Sequence, residues 1–186
     1  MKLHATIFGS SAPKGGSPEY EDARKLAALL TKREFRVKTG GYYGTMEAAS
    51  KGAHEAGVKA IGVPFAGFDP KAPNVYAEVQ KMRTLFDRLG LLITDSDLIV
   101  ALPGGLGTLS EISTTWMMLQ TGLLTPKPVV CCIGRNWRTL LESIAQNMEV
   151  TEKDMHLLEL FETLAHFEER IDEVMRQVQE QRSERE

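Results

Sequence analysis

An apolar stretch, Leu98-Ile99-Val100-Ala101-Leu102, runs straight into Pro103-Gly104-Gly105-Leu106-Gly107-Thr108, and residues at helical spacing follow. A strand that turns through glycine into a helix is part of a βαβ unit, and the same pattern recurs along the chain. Lys2 to Phe8 reads as a buried strand, stopped by Gly9-Ser10-Ser11-Ala12-Pro13. From Glu19 to about Glu34, Tyr20, Ala23, Ala27 and Leu30 recur at helical spacing. Arg36 to Thr39 reads as a short strand ending in Gly40-Gly41-Tyr42-Tyr43-Gly44, and Thr45 to Glu55 as a helix stopped by Gly57. Lys59 to Val63 is a third strand, 64–74 a loop, and Tyr76 to Leu92 a helical pattern. Beyond the glycine turn come a helix from Thr108 to Leu123, a strand from Pro128 to Ile133 and a helix from Asn136 to about Met148. Leu157 to Phe161 reads as a last strand. A charge-rich helix begins at His166 and is expected to fray after about Val178.

Strands that are apolar throughout must be covered on both faces. Alternating with helices, they specify an α/β fold with a parallel sheet and helices on both sides. With 186 residues and neither a repeat nor a linker, the expectation is one domain over 1–186, with 179–186 as a frayed helical tail. In such sheets ligands bind beyond the carboxyl ends of the strands. Three of those ends are rich in small residues: Gly9-Ser10-Ser11, Gly40-Gly41 and Gly104-Gly105.

The chemistry expected there is anion binding. Gly104, Gly105 and Gly107 permit positive φ and let backbone approach a ligand. The first amides of the following helix lack partners and carry a partial positive charge, so a phosphate is the natural occupant. The turn is not a Walker A loop, because no Gly-Lys-Ser/Thr closes it, and the first turn lacks Gly-x-Gly-x-x-Gly. The competing reading is that the glycines only make tight turns. A formal net charge of −3 argues against a surface built for nucleic-acid backbone, yet allows a local anion site. Cys131 and Cys132 are adjacent in a strand and point to opposite faces, which suits buried, reduced thiols of a cytoplasmic protein rather than a disulfide. The start lacks a signal-peptide core, and no apolar run nears the ~20 residues of a membrane helix.

Thr108 and Glu111 have the Thr-x-x-Glu spacing of a capping box. The same carboxylate, ionised by the helix dipole, could stabilise an oxocarbenium-like sugar and orient a water. Arg88 reads either as a solvated partner of Asp87 or Asp95 or as a clamp on phosphate or ribose, with Arg83 a weaker candidate of the same kind. Tyr42 and Tyr43 could stack on a base or pack locally. Trp116, Met117 and Met118 read as core or subunit interface. His4, His54, His156 and His166 are scattered without metal-ligand spacing, so no metal is assigned.

The segment Pro103 to Glu111 resembles the Pro-Gly-Gly-x-Gly-Thr-x-x-Glu motif of the Lonely Guy (LOG) family, long mislabelled lysine decarboxylases. Ile7-Phe8-Gly9-Ser10-Ser11, Thr39-Gly40-Gly41-Tyr42-Tyr43-Gly44-Thr45-Met46, Ser96-Asp97, Gln120 and Lys127-Pro128-Val129 fit the same pattern in order, and the likeness covers about Lys2 to Leu141. It implies a Rossmann-like fold, a homodimer, no cofactor, and hydrolysis of the N-glycosidic bond of AMP or of cytokinin ribotides to free base and ribose 5-phosphate. The family's catalytic glutamate and arginine map onto Glu111 and Arg88. Ligand contacts map onto the turns holding Gly9, Ser10, Ser11, Gly40, Gly41, Gly104, Gly105, Gly107 and Thr108. The chain departs from cytokinin-activating members in carrying Arg88-Leu89 where they have Arg-Lys, and Ser110 and Glu47 are further departures. Two alternatives stay open beside the hydrolase. One is a non-catalytic nucleotide-binding or sensing module; the other, a nicotinamide-dependent oxidoreductase, is disfavoured by the missing fingerprint. Decarboxylation lacks support, since no lysine sits in a pyridoxal-phosphate context.

Overall fold

The computed structural model describes residues 3–68 and 72–183; Lys2, part of the expected loop 64–74, and the last three residues lie outside them. The strands are β1 (Leu3–Phe8), β2 (Phe35–Thr39), β3 (Ala60–Gly62), β4 (Ala77–Val79), β5 (Leu98–Ala101), β6 (Val129–Ile133) and β7 (Glu159–Phe161). The helices are α1 (Pro18–Lys32), α2 (Thr45–Glu55), α3 (Leu85–Thr94), α4 (Leu106–Gln120), α5 (Arg135–Asn147), α6 (Glu152–Met155), α7 (Leu164–Glu169) and α8 (Ile171–Ser183). All pairings are parallel, in the order β4-β3-β2-β1-β5-β6-β7. The fold is the expected Rossmann-like α/β sheet. None of its described helices is long and apolar enough to cross a membrane.

Strand residues alternate between two cores. Ala5, Ile7, Val37, Leu98, Val100 and Cys131 pack with α1, α2, α7 and α8 on one face. Phe8, Ile61, Ile99, Ala101, Val130 and Cys132 pack with α3, α4 and α5 on the other. The adjacent cysteines are thus divided between the layers as expected, and burial raises both thiol pKa values, Cys132 to about 12.

Two polar side chains interrupt the second face and act on α3. Lys38 of β2 is fully buried, and its ammonium donates to the carbonyls of Leu91 (2.9 Å) and Asp95. Thr6 of β1 donates to the carbonyl of Leu92 at 2.7 Å and meets the Ser96 hydroxyl at 2.8 Å. These are carbonyls at a helix carboxyl end, which have no partner inside the helix. Burial lowers the Lys38 pKa to about 8, against the pull of Asp95. A buried ammonium is tolerated here because it meets several oxygens at once. The polar clamp fixes the end of the helix that carries Arg88.

The elements depart from expectation in three places. The stretch from Tyr76 holds no helix at first: Ala77–Val79 adds a short strand at the sheet edge, and α3 starts only at Leu85. Edge strands are half-exposed, so their composition carries little apolar signal, and only Ala77 of β4 is buried. Helix α4 begins two residues before Thr108. The last helix is divided at Arg170 and stays helical through Ser183, past Val178.

Candidate functional site

The chain builds outward from β1 through β2 and β3 to β4, then returns to the other side of β1 to lay down β5. The reversal falls between β1 and β5, the switch point at which loops part and leave a crevice. The loop after β1 and the loop after β5 are joined there: the Ser10 amide donates to the Pro103 carbonyl at 3.3 Å. A cavity of about 590 Å³ opens above, a volume suited to a small ligand.

Every residue expected at the site lines this cavity except Gly41 and Gly104. Those two are glycine for reasons of packing. Gly41 has φ +82° and lies against the backbone of Gly62, as part of the turn after β2. A Cβ on Gly104 would collide with the Thr108 side chain. Gly105 and Gly107 differ: a Cβ at either would meet nothing within 4 Å and would stand in the open cavity. None of the three turn glycines has the positive φ expected of it. Their smallness leaves the backbone bare.

The bare backbone is the start of α4. Its N-cap is Gly105 and no side chain caps it. Thr108 therefore occupies the third helical position, buried, and Glu111 the sixth; the capping box expected from their spacing does not form. This uncapped helix start lines the same cavity as Ser10 and Ser11. Ser10 is braced: its hydroxyl accepts from the Ala12 amide at 3.0 Å, and its carbonyl accepts from the Thr45 amide at 2.9 Å.

Arg88 is 7 % exposed and pairs with neither Asp87 nor Asp95. Asp87 instead accepts from the Thr84 hydroxyl, and Asp95 meets His4 and Lys38. Arg88 Nε donates to the Val63 carbonyl at 2.8 Å, and Nη1 lies 3.7 Å from Glu111 Oε1. Its guanidinium packs so closely on Gly40 that a Cβ there would overlap it. Gly40 is thus glycine for the sake of Arg88 and of Met46, whose sulfur crowds the same space. Arg83 is exposed and lies away from the cavity lining.

Glu111 has a side chain only 12 % exposed. Burial raises its pKa to about 7, and Arg88 draws it partly back down. Sequence spacing placed this carboxylate in the first turn, where the dipole would keep it ionised. At the sixth position it lies past the turn where that effect is strong, and desolvation prevails. The group is poised near neutrality, where a proton can move either way.

The rest of the wall is mostly apolar, with Ile7, Phe8, Met46, Phe68, Leu85, Leu89 and Leu106, and is completed by Tyr42 and Ser110. Sequence reasoning missed Phe68, which falls in the stretch read as a loop; an aromatic residue directly after a glycine was the available signal. Tyr42, weighed as a base-stacking residue or a local packer, is 5 % exposed, and its hydroxyl both donates to the Phe65 carbonyl (2.9 Å) and accepts from the Phe65 amide (3.0 Å). Trp116 is core, while Met117 is exposed.

Residues 2–155 match the SLOG cluster4 family. Cytokinin riboside 5′-monophosphate phosphoribohydrolase LOG5 of Arabidopsis thaliana is 35% identical over 133 residues, 69% of this chain and 57% of that protein. LOGL3 of Oryza sativa subsp. japonica, described as a probable enzyme of the same name, is 32% identical over 154 residues, 80% of this chain and 72% of that protein. Against LOG5, LOG6 and LOGL5 the chain spans 57%, 65% and 48% of the relative's length. Among solved structures, the molybdenum cofactor carrier protein of Chlamydomonas reinhardtii superposes with a TM-score of 0.70 at 19% identity, covering 94% of this chain and 99% of that one. At that identity the likeness is one of fold.

The contrast among the glycines is directly testable. Gly107→Ala should fold with unchanged or slightly raised stability, by up to about 1 kcal/mol for a glycine replaced inside a helix, and should lose the melting-temperature rise given by ribose 5-phosphate. Gly104→Ala should melt at lower temperature. A Gly107→Ala protein that still responds fully to ribose 5-phosphate contradicts the bare-backbone reading.

Proposed function

The chain belongs to the LOG family, in the SLOG cluster4 grouping, and from that premise we propose that it hydrolyses the N-glycosidic bond of a nucleoside 5′-monophosphate. The substrate is of the AMP or cytokinin-ribotide kind, and the products are free base and ribose 5-phosphate. The observation that carries the proposal is the meeting, in one cavity, of an uncapped helix start with the Arg88–Glu111 pair.

The phosphate sits on the amides of Leu106, Gly107 and Thr108 with Ser10 and Ser11 beside it. Arg88, held by Val63 and unable to swing away, offers its guanidinium to phosphate or ribose oxygens. As the bond to the base breaks, positive charge develops on the sugar. Glu111 in its carboxylate form stabilises that charge and takes a proton from the attacking water, while the base leaves with the bonding pair and is protonated from solvent. An ordinary glutamate would be too weak a base; one raised to about 7 by burial is suited to the task.

A second reading rests on Leu89. It lines the cavity where cytokinin-activating members have lysine, and it packs against the core beneath. An aliphatic side chain supplies no charge, so the same pocket could hold a nucleotide without turning it over.

Purified protein incubated with AMP should release adenine, and Glu111→Gln should lower the rate by at least a hundredfold, the scale of a positioned acid–base group. Because the active form is the carboxylate, kcat/KM should rise about tenfold per pH unit below about 7 and level off above it. Release of base by Glu111→Gln at the wild-type rate contradicts the mechanism. Stabilisation by AMP with no release favours the second reading.

The chain should also assemble as a homodimer. Leu106 and Phe86 are 85% and 82% exposed, and with Leu85 and Met117 they leave the outer sides of α3 and α4 apolar, a surface that a second copy would cover. Light scattering should give twice the mass of the chain, and Phe86→Glu should shift it to the monomer. A monomeric wild type rejects the dimer.

A further inference from the structure

We infer that Phe68 is the stacking platform for the ligand's base, so that the pocket selects by the size of a flat ring rather than by its hydrogen-bonding edge. The inference rests on the nucleotide reading of the cavity and deepens it. Phe68 lines the cavity and is 48% exposed, so part of its ring is open to an occupant of the cavity.

Its position is built. The short 3-10 turn Ala66–Phe68 follows β3. Across it, the rings of Phe65, just before the turn, and Phe68 meet edge-to-face with centroids 5.2 Å apart and planes at 78°. Tyr42 meets Phe68 the same way, at 5.8 Å and 70°. The Tyr42 hydroxyl fastens both backbone groups of Phe65, and the Asn74 side-chain amide donates to the Tyr42 carbonyl at 2.8 Å. Gly67 has no side chain because the Phe65 ring lies where a Cβ would be. The two ring contacts hold Phe68 in place while about half of its surface stays exposed.

The location suits a base. Phe68 follows β3 and the anion seat follows β5, three strand spacings away across β2 and β1. At the usual separation that is about 14 Å, the scale of an extended nucleoside monophosphate with its phosphate at α4. Among the other wall residues, Met46, Leu85 and Leu89 bring no hydrogen-bonding side chain and the Tyr42 hydroxyl is taken up by Phe65, while Ser110 carries a hydroxyl on α4. A surface of this chemistry contacts the π-face that every base has. Purines, with the larger face, should bind better than pyrimidines, and substituents on the ring edge should matter little.

Binding of AMP, UMP and ribose 5-phosphate to the full chain, measured by calorimetry at one salt concentration, tests this. Wild type should bind AMP more tightly than UMP, and UMP more tightly than ribose 5-phosphate. Phe68→Ala should weaken AMP about tenfold or more, leave ribose 5-phosphate within about twofold, and melt near wild type because the ring is half exposed. Phe68→Tyr should restore AMP binding. Equal weakening of AMP and ribose 5-phosphate by Phe68→Ala, or no weakening of either, overturns the platform. So does a wild type that binds ribose 5-phosphate as well as AMP, although the anion seat then stands. A wild type that binds none of the three overturns the nucleotide reading and the platform with it.

Discussion

A helix start left bare at the point where the sheet reverses direction is the constraint from which the rest of the site follows. The β1–β5 pairing sets the carboxyl ends of the two strands side by side, Phe8 opposite Ala101, so both loops open over one crevice. Ser10 and Pro103 then tie the loops together. Gly104 lets the chain turn under Thr108, and at Gly105 and Gly107 the space beside the backbone is open. An ordinary helix start would satisfy its first amides with a serine or aspartate; here α4 has no side-chain cap. That omission is what the proposed anion seat requires.

The charged pair depends on the same scaffold from the opposite side. Arg88 is fixed at three points: Val63 accepts from its Nε, Gly40 makes room for its guanidinium, and Glu111 stands 3.7 Å away. Further along α3, Lys38, Thr6 and Ser96 hold the helix's terminal carbonyls, so the arginine is carried by an element pinned to the sheet. Arg88 favours the ionised form of Glu111 while burial opposes it, and burial is the larger effect. The balance leaves a carboxyl group able to change protonation near neutral pH, as acid–base chemistry requires and a purely structural ion pair does not.

Much of this was legible in the sequence, and the reasons differ by residue. The central strands are apolar on both faces, so β1, β5 and β6 announce themselves, and the glycine turn after β5 marked the site. The convergence of Arg88 and Glu111 was legible through motif resemblance. Local spacing could not give it, because Thr108 and Glu111 fit a capping box equally well and only the true helix start, at Leu106, separates the two. The edge strand β4 escaped because three residues with one buried position carry no periodic signal. The roles of Gly40 and Gly104 escaped because they depend on Arg88 and Thr108, contacts that exist only after folding. Phe68 escaped for the same reason: its ring is aimed by Tyr42 and Phe65, and the sequence around it reads as a loop.

The most direct measurement of the central claim is an amide-resolved NMR titration of the full chain with ribose 5-phosphate. The account predicts saturable shifts concentrated at Leu106, Gly107 and Thr108, with smaller ones at Ser10 and Ser11. Saturable shifts confined to another helix start, such as that of α5, or a titration that leaves the α4 amides unmoved, would contradict it.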